Sequence, residues 1–194
     1  MVSVDQIAPL TAAAAAIETQ LRRFFPASQF GFGFVPETAD AAVWRDLTRR
    51  TPFLGLGWAG LAPDRQSGRD LAGACNWSLM LVTKHTDMTK RYLGDNTTPA
   101  LLTMVWIACL ALHGHGLKTQ DGLPLGTIAV NSAGNAAAAG WGEGQMGLAT
   151  VEFATPLPTP GDAYTGAIPD FLTLGVTWDF PSLAAGTDTF ERPA

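Results

Sequence analysis

The sequence predicts an α+β fold: a mostly antiparallel sheet flanked by two main helices in a single domain, followed by a C-terminal extension. Three observations predict it. Two segments repeat apolar residues three and four positions apart, as the buried side of a helix requires. Several shorter runs alternate apolar and polar residues, as a half-buried strand requires. A cluster of prolines, Pro156, Pro158 and Pro160, is placed to break regular pairing. It divides a domain over residues 1–157 from an arm over 158–194.

The first helix is predicted from about Ala8 to Phe25. Leu10, Ala14, Ile17, Leu21 and Phe24 lay one apolar stripe along it, and the run Ala12–Ala16 adds high helix propensity and permits close packing. Pro26 ends it. Glu18, Gln20, Arg22 and Arg23 are expected on a solvated face.

Phe30–Val35 reads as a short strand closed by Pro36, with Phe30, Phe32 and Phe34 on one side and glycines opposite. Asp40 is placed to cap a short helix through Thr48 that turns Val43, Trp44 and Leu47 inward. Phe53–Leu61 and Asn76–His85 follow as two strands joined by the polar stretch Ala62–Gly73. They form a long-tipped antiparallel hairpin.

The second helix is predicted over Pro99–Leu112. Thr98 is placed to cap it, Pro99 sits where its missing N–H costs nothing, and Gly114 ends it in a left-handed cap. Leu101, Leu102, Val105, Trp106, Ile107, Ala108, Cys109 and Leu112 spread beyond one stripe. A helix that is apolar nearly all round is buried on more than one side, so this one needs a partner besides the sheet. Leu125–Ala133 and Met146–Phe153 then read as strands around the Gly/Ala-rich run 134–144. Phe171–Phe180 resumes the alternation as a late strand, added to the sheet or donated to a neighbour.

Composition points to self-association. Charged residues make up 15% of the chain, against about 25% in a usual globular domain, while 47% are hydrophobic. A monomer so poor in charge leaves apolar surface facing water, and such patches mark contact sites. The net charge of −5 divides unevenly, at +2 for residues 1–118 and −7 for 119–194. Arg22, Arg23, Arg45, Arg49 and Arg50 are interleaved with acids and make no nucleic-acid stripe. Cys75 and Cys109 lie among apolar residues, which gives neither a disulfide framework nor a Cys-rich metal site. No signal peptide is expected at the N-terminus, and Pro99–Leu112 is too short to span a bilayer.

The search for chemistry yields little. His113 and His115, with Asp121 or His85, invite a metal site, but a catalytic zinc normally recruits three protein ligands and this spacing is weakly specific. A protonated imidazole at a helix C-terminus gains from the helix dipole, which gives these histidines a structural reading. Gly142–Gly147 formally matches G-x-G-x-x-G, but it leads into a strand where a dinucleotide site needs a helix. Phosphate-loop and nucleophile-elbow motifs are absent, and Ser67, Ser78 and Ser132 lack partnering patterns. Arg65, Gln66 and Arg69, framed by Asp64 and Asp70, read as a solvated hairpin tip. The chain is expected not to be an enzyme and to carry no cofactor.

The order of parts resembles the tail terminator proteins of long-tailed bacteriophages, the Mu-like branch in particular. The resemblance is carried by Leu10–Phe25, Thr51–Gly60 (TPFLGLGWAG), Asn76–His85 (NWSLMLVTKH), Pro99–Gly116 and Gly147–Leu157, with Phe171–Asp179 similar to a terminal strand of that branch. It implies a homo-hexameric ring in the virion that caps the tail tube, ends its elongation and joins the tail to the head connector. The implied partners are further copies of the chain, the tail tube protein and the connector or stopper protein. DNA passes through the lumen without specific binding, and no membrane is involved.

On that resemblance, Leu10, Ile17 and Leu21, with Val105 and Trp106, form the core or the subunit contact. Arg65, Arg69 and Asp70 touch an adjacent ring. Asp162, Asp170, Asp179 and Glu191 lie on an arm that wraps a neighbour or lines the channel, where acidic charge repels passing DNA. The rival readings are a head–tail connector or stopper subunit, a small metal-dependent hydrolase using His113, His115 and Asp121, and a monomeric domain whose Ala62–Gly73 loop grips a ligand.

Overall fold

A computed structural model describes residues 9–36, 49–65, 72–118, 122, 124–136 and 145–157. The expected helix at 40–48, the late strand at 171–180 and the whole arm from 158 lie outside the described residues. In chain order the described elements are α1 (Pro9–Arg22), β1 (Gly31–Phe34), β2 (Phe53–Pro63) and β3 (Gly73–Lys84). They continue with α2 (Met88–Leu93), α3 (Leu101–Leu112), β4 (Gly116–Lys118), β5 (Pro124–Thr127), β6 (Ala129–Asn135) and β7 (Met146–Leu157).

The fold is α+β. A five-stranded sheet in the order β1-β2-β3-β7-β6 carries the helices, and β4 and β5 form a separate two-stranded sheet. Only β1 runs parallel to its neighbour β2; the other pairs of the large sheet are antiparallel. The β2–β3 hairpin is the one expected from the sequence, with Leu54 opposite Leu81 and Leu56 opposite Leu79. Across the next ladder Leu79 faces Val151, Leu81 faces Ala149 and Trp77 faces Phe153. Since side chains alternate between faces, these residues share one side of the sheet, and all are buried against α1 and α3. The opposite side holds a smaller cluster of Val35, Phe53, Val82 and Leu148.

Several expectations change at element ends. The helix α1 stops at Arg22, and the chain turns tightly so that Phe24 and Phe25 both donate to the Leu21 carbonyl. That turn rotates Phe25 into the core, edge-on to Phe30, and leaves Phe24 47% exposed in place of extending the stripe. Gln20, expected on the solvated face, is buried. The helix α3 begins at Leu101 with Ala100 at its N-cap, so Thr98 does not cap it and Pro99 stands outside. The Asp95 carboxylate instead gathers the Thr97 and Thr98 amides and the Thr97 hydroxyl into a closed turn, and the helix starts beyond it. The short helix α2 was not anticipated; Asp87 caps it by accepting from the Thr89 and Lys90 amides.

The strand expected over Leu125–Ala133 is divided. Gly126, at φ 103°, bends the chain over Pro156, where any Cβ would overlap the proline ring. At the break, buried Ile128 exchanges backbone hydrogen bonds with the end of α3: its carbonyl accepts from Gly114 and its amide donates to His115. Pro156 does not break pairing but sits within β7, opposite Ala74. The last β6 partner on that strand is Ala154, so Pro156 occupies a stretch with a ladder on one side, where a missing N–H is tolerated.

Candidate assembly surface on the helical face

The helix α3 is apolar at every position but Thr103, yet only part of it meets the core. Leu101, Met104, Ala108, Ala111 and Leu112 are buried against the sheet and α1. Val105, Ile107 and Cys109 flank them, partly buried. On the far side, Leu102, Trp106 and Leu110 are 50%, 65% and 62% exposed. Their spacing of four aligns them in one ridge on the helix surface. Met88 and Leu93 on the adjoining α2 are also exposed. These two helices therefore carry five of the eight large exposed apolar side chains among the described residues.

A second feature lies on the other flank of α1. A cleft of about 840 Å³ separates its outer side from β4, lined by residues that include Ala12, Ala15, Ala16, Arg23, His115 and Lys118. The alanines keep its floor low. Two of the cleft's polar groups have partners within the chain: the Thr19 hydroxyl donates to the Ala15 carbonyl at 2.9 Å, and Gln20 Nε2 donates to the Ala111 carbonyl at 2.8 Å.

The residues proposed for subunit contact separate by burial. Ile17 and Leu21 are fully buried within the chain, which puts them in the core and not on a surface open to a neighbour. Leu10 and Val105 are partly buried against that core, and Trp106 stands out from it. At the hairpin tip Arg65 is exposed, while Arg69 and Asp70 lie outside the described residues, as do Asp162, Asp170, Asp179 and Glu191. Leu110, Met88 and Leu93 were missed, although the four-residue spacing of Leu102, Trp106 and Leu110 was available as a signal.

Two of the three histidines are engaged in backbone contacts. His113 Nδ1 accepts from the Val130 amide at 3.2 Å, and His85 Nδ1 accepts from the Asp87 amide at 2.9 Å. The first bond ties the end of α3 to β6, a structural role for His113. His115 lines the cleft, His85 Nε2 lies 3.6 Å from Asp95 Oδ2, and Asp121 is outside the described residues. Among the described residues no three His, Cys, Asp or Glu side chains gather into a metal-holding group.

Among the described residues, Asp95 is the charged group most altered by its surroundings. The Thr97 amide, then the Thr97 hydroxyl and the Thr98 amide, hold its carboxyl down to about 2, and it is ionised beside Lys90 at 3.9 Å. Burial pushes the thiols of Cys75 and Cys109 up, which suits inert packing more than reactivity. Among the described residues no helix is long and apolar enough to cross a membrane.

No protein family and no curated protein matches the sequence. Among solved structures, the chain is similar to one from the virion of a native gene transfer agent particle, with a TM-score of 0.49 and 15% identity over 76% of this chain and 96% of that one.

Proposed function

We propose that the chain is a structural subunit of a phage-like virion. It forms a homo-hexameric ring that caps the tail tube, ends tail elongation and joins the tail to the head connector. The observation that carries self-assembly is the ridge of Leu102, Trp106 and Leu110, with Met88 and Leu93 beside it. Exposed apolar area concentrated on two adjoining helices is covered in a working protein, and a ring of identical subunits covers it without any further component. The tail position rests on the order of parts described from the sequence.

In this reading the protein makes and breaks no bond; it acts by offering one face to the last ring of the tube and another to the connector. Neutralising Asp162, Asp170, Asp179 and Glu191 together is expected to slow DNA ejection if the arm lines the channel, and unchanged ejection kinetics removes that role.

Native mass spectrometry and electron microscopy of the purified chain test the ring. A closed six-membered particle with a central pore is the expected result. A chain that remains monomeric at high micromolar concentration, and does not bind isolated tail tubes, overturns it.

A further inference from the structure

We propose that the Leu102–Trp106–Leu110 ridge of one subunit seats in the alanine-floored cleft between α1 and β4 of a second copy. Each copy then offers one ridge and receives another. The ring-forming reading supplies the setting, but the contact itself stands on two surfaces of this chain.

The two surfaces are distinct. None of the residues lining the cleft belongs to α3, so a ridge entering a cleft makes a head-to-tail contact, the kind that closes into a ring when its rotation completes a circle. Their shapes are complementary as well. A helix ridge is convex, and Ala12, Ala15 and Ala16 remove the bulk that would hold a second helix at a distance.

The chemistry of the floor favours an apolar guest. Because the Thr19 hydroxyl and the Gln20 amide donate within the chain, covering them with leucine and tryptophan strands neither donor. The ridge, with Met88 and Leu93 exposed on the adjoining α2, supplies the apolar centre of an interface, which at standard size buries ~800 Å² on each partner.

Charge separates this arrangement from a ridge meeting its own copy. The exposed acids Asp87 and Asp95 flank the two ends of α2, which carries Met88 and Leu93, with Lys90 near Asp95. The cleft presents Arg23 and Lys118, and no carboxylate belongs to its described lining. A ridge-to-ridge dimer brings the two acids toward their own counterparts, whereas ridge-to-cleft docking brings them toward cations.

Complementation between two defective subunits tests the contact. Trp106→Asp spoils the ridge, and Ala15→Arg fills the cleft at an exposed position with a good helix former. Each variant, checked as folded by circular dichroism, is expected to self-associate at least roughly thirtyfold more weakly than the wild type, the loss typical of a hot-spot side chain. Mixed at equal concentration, they are expected to form a heterodimer and nothing larger, because the one sound ridge fills the one sound cleft. Assembly of Ala15→Arg at wild-type strength overturns the docking, as does a mixture that stays monomeric. The ring reading is scored separately from the wild type. Open chains together with an intact heterodimer remove the ring and keep the docking, whereas closed rings that survive Ala15→Arg do the reverse.

Discussion

Gln20 on α1 donates from Nε2 to the backbone carbonyl of Ala111 on α3 at 2.8 Å, joining two buried residues 91 positions apart in the chain. The last carbonyls of a helix have no partner within it, and Ala111 lies in the final turn of α3. The glutamine therefore fills a vacancy that α3 would otherwise bury unsatisfied. This bond explains how a polar side chain enters a helix–helix contact otherwise built from alanine, isoleucine and leucine.

Replacing Gln20 with leucine keeps the volume and removes the donor. The Ala111 carbonyl is then buried without a partner, a loss of about 1–3 kcal/mol. Urea unfolding followed by tryptophan fluorescence is expected to show a lower midpoint with an unchanged slope. A midpoint equal to that of the wild type would mean that water replaces the amide.

Arg91 and Gly147 form a second dependence. The Arg91 side chain is buried, donates from Nε to the His85 carbonyl at 3.1 Å and from Nη1 to the Met146 carbonyl at 3.2 Å, and so crosses directly over Gly147. A Cβ on Gly147 would stand 2.9 Å from both Cγ and Cδ of that arginine. Because the guanidinium is held at its far end, the stem cannot swing aside without losing those bonds. Gly147→Ala is expected to cost about 1–3 kcal/mol. Gly134→Ala, in an exposed strand position with nothing within 4 Å of the new methyl, is expected to stay within about 0.5 kcal/mol of wild type. In an Arg91→Ala background the Gly147→Ala penalty should shrink, and a double-mutant cycle in chemical denaturant measures by how much.

The sequence made the sheet legible where alternation was strong. β3 shows it: Trp77, Leu79 and Leu81 on one side are buried and line up with Val151 and Phe153 of β7. Elements fixed by one local bond were harder to read. Asp87 caps only six residues of α2, too few for a hydrophobic period to show, and the Asp95 turn displaces a start signal that Thr98 and Pro99 otherwise spell correctly. Pro156 misled because a proline is silent about which side of its strand is unpaired. For the candidate surface, the width of the apolar arc on α3 implied a second partner, but Ile17 and Trp106 look alike as apolar helix residues. Only the packing of α1 against α3 makes one core and the other surface.

Asp95 gives the fold an acid-sensitive turn. Its carboxyl titrates at about 2 in the folded chain, below the ordinary 3.8, so the ionised form is favoured by folding. Such a group contributes stability that is fully present above pH ~4 and is lost as the pH falls toward ~2. The stability difference between wild type and Asp95→Ala is therefore expected to be constant from neutral pH down to about 4, and to narrow between 4 and 2. Thermal unfolding across that range reads it out. A difference that persists unchanged at pH 2 would assign the effect to packing of the loop and not to the carboxylate.

Trp106 and Ala108 lie two residues apart on α3, and they are expected to answer the same substitution in opposite ways. Ala108 is fully buried, so Ala108→Asp places a carboxylate without a partner in the core and is expected to leave little folded chain at 25 °C. Trp106 faces outward, where an aspartate is solvated and a change in stability within about 0.5 kcal/mol is expected. What Trp106→Asp should lose is association, visible as a fall in sedimentation coefficient at a concentration where the wild type is assembled. A variant that melts with the wild type and sediments as a monomer assigns the exposed half of α3 to subunit contact. Equal melting with equal sedimentation would leave the tryptophan facing water in the assembly as well, and the self-docking of α3 would fall with it.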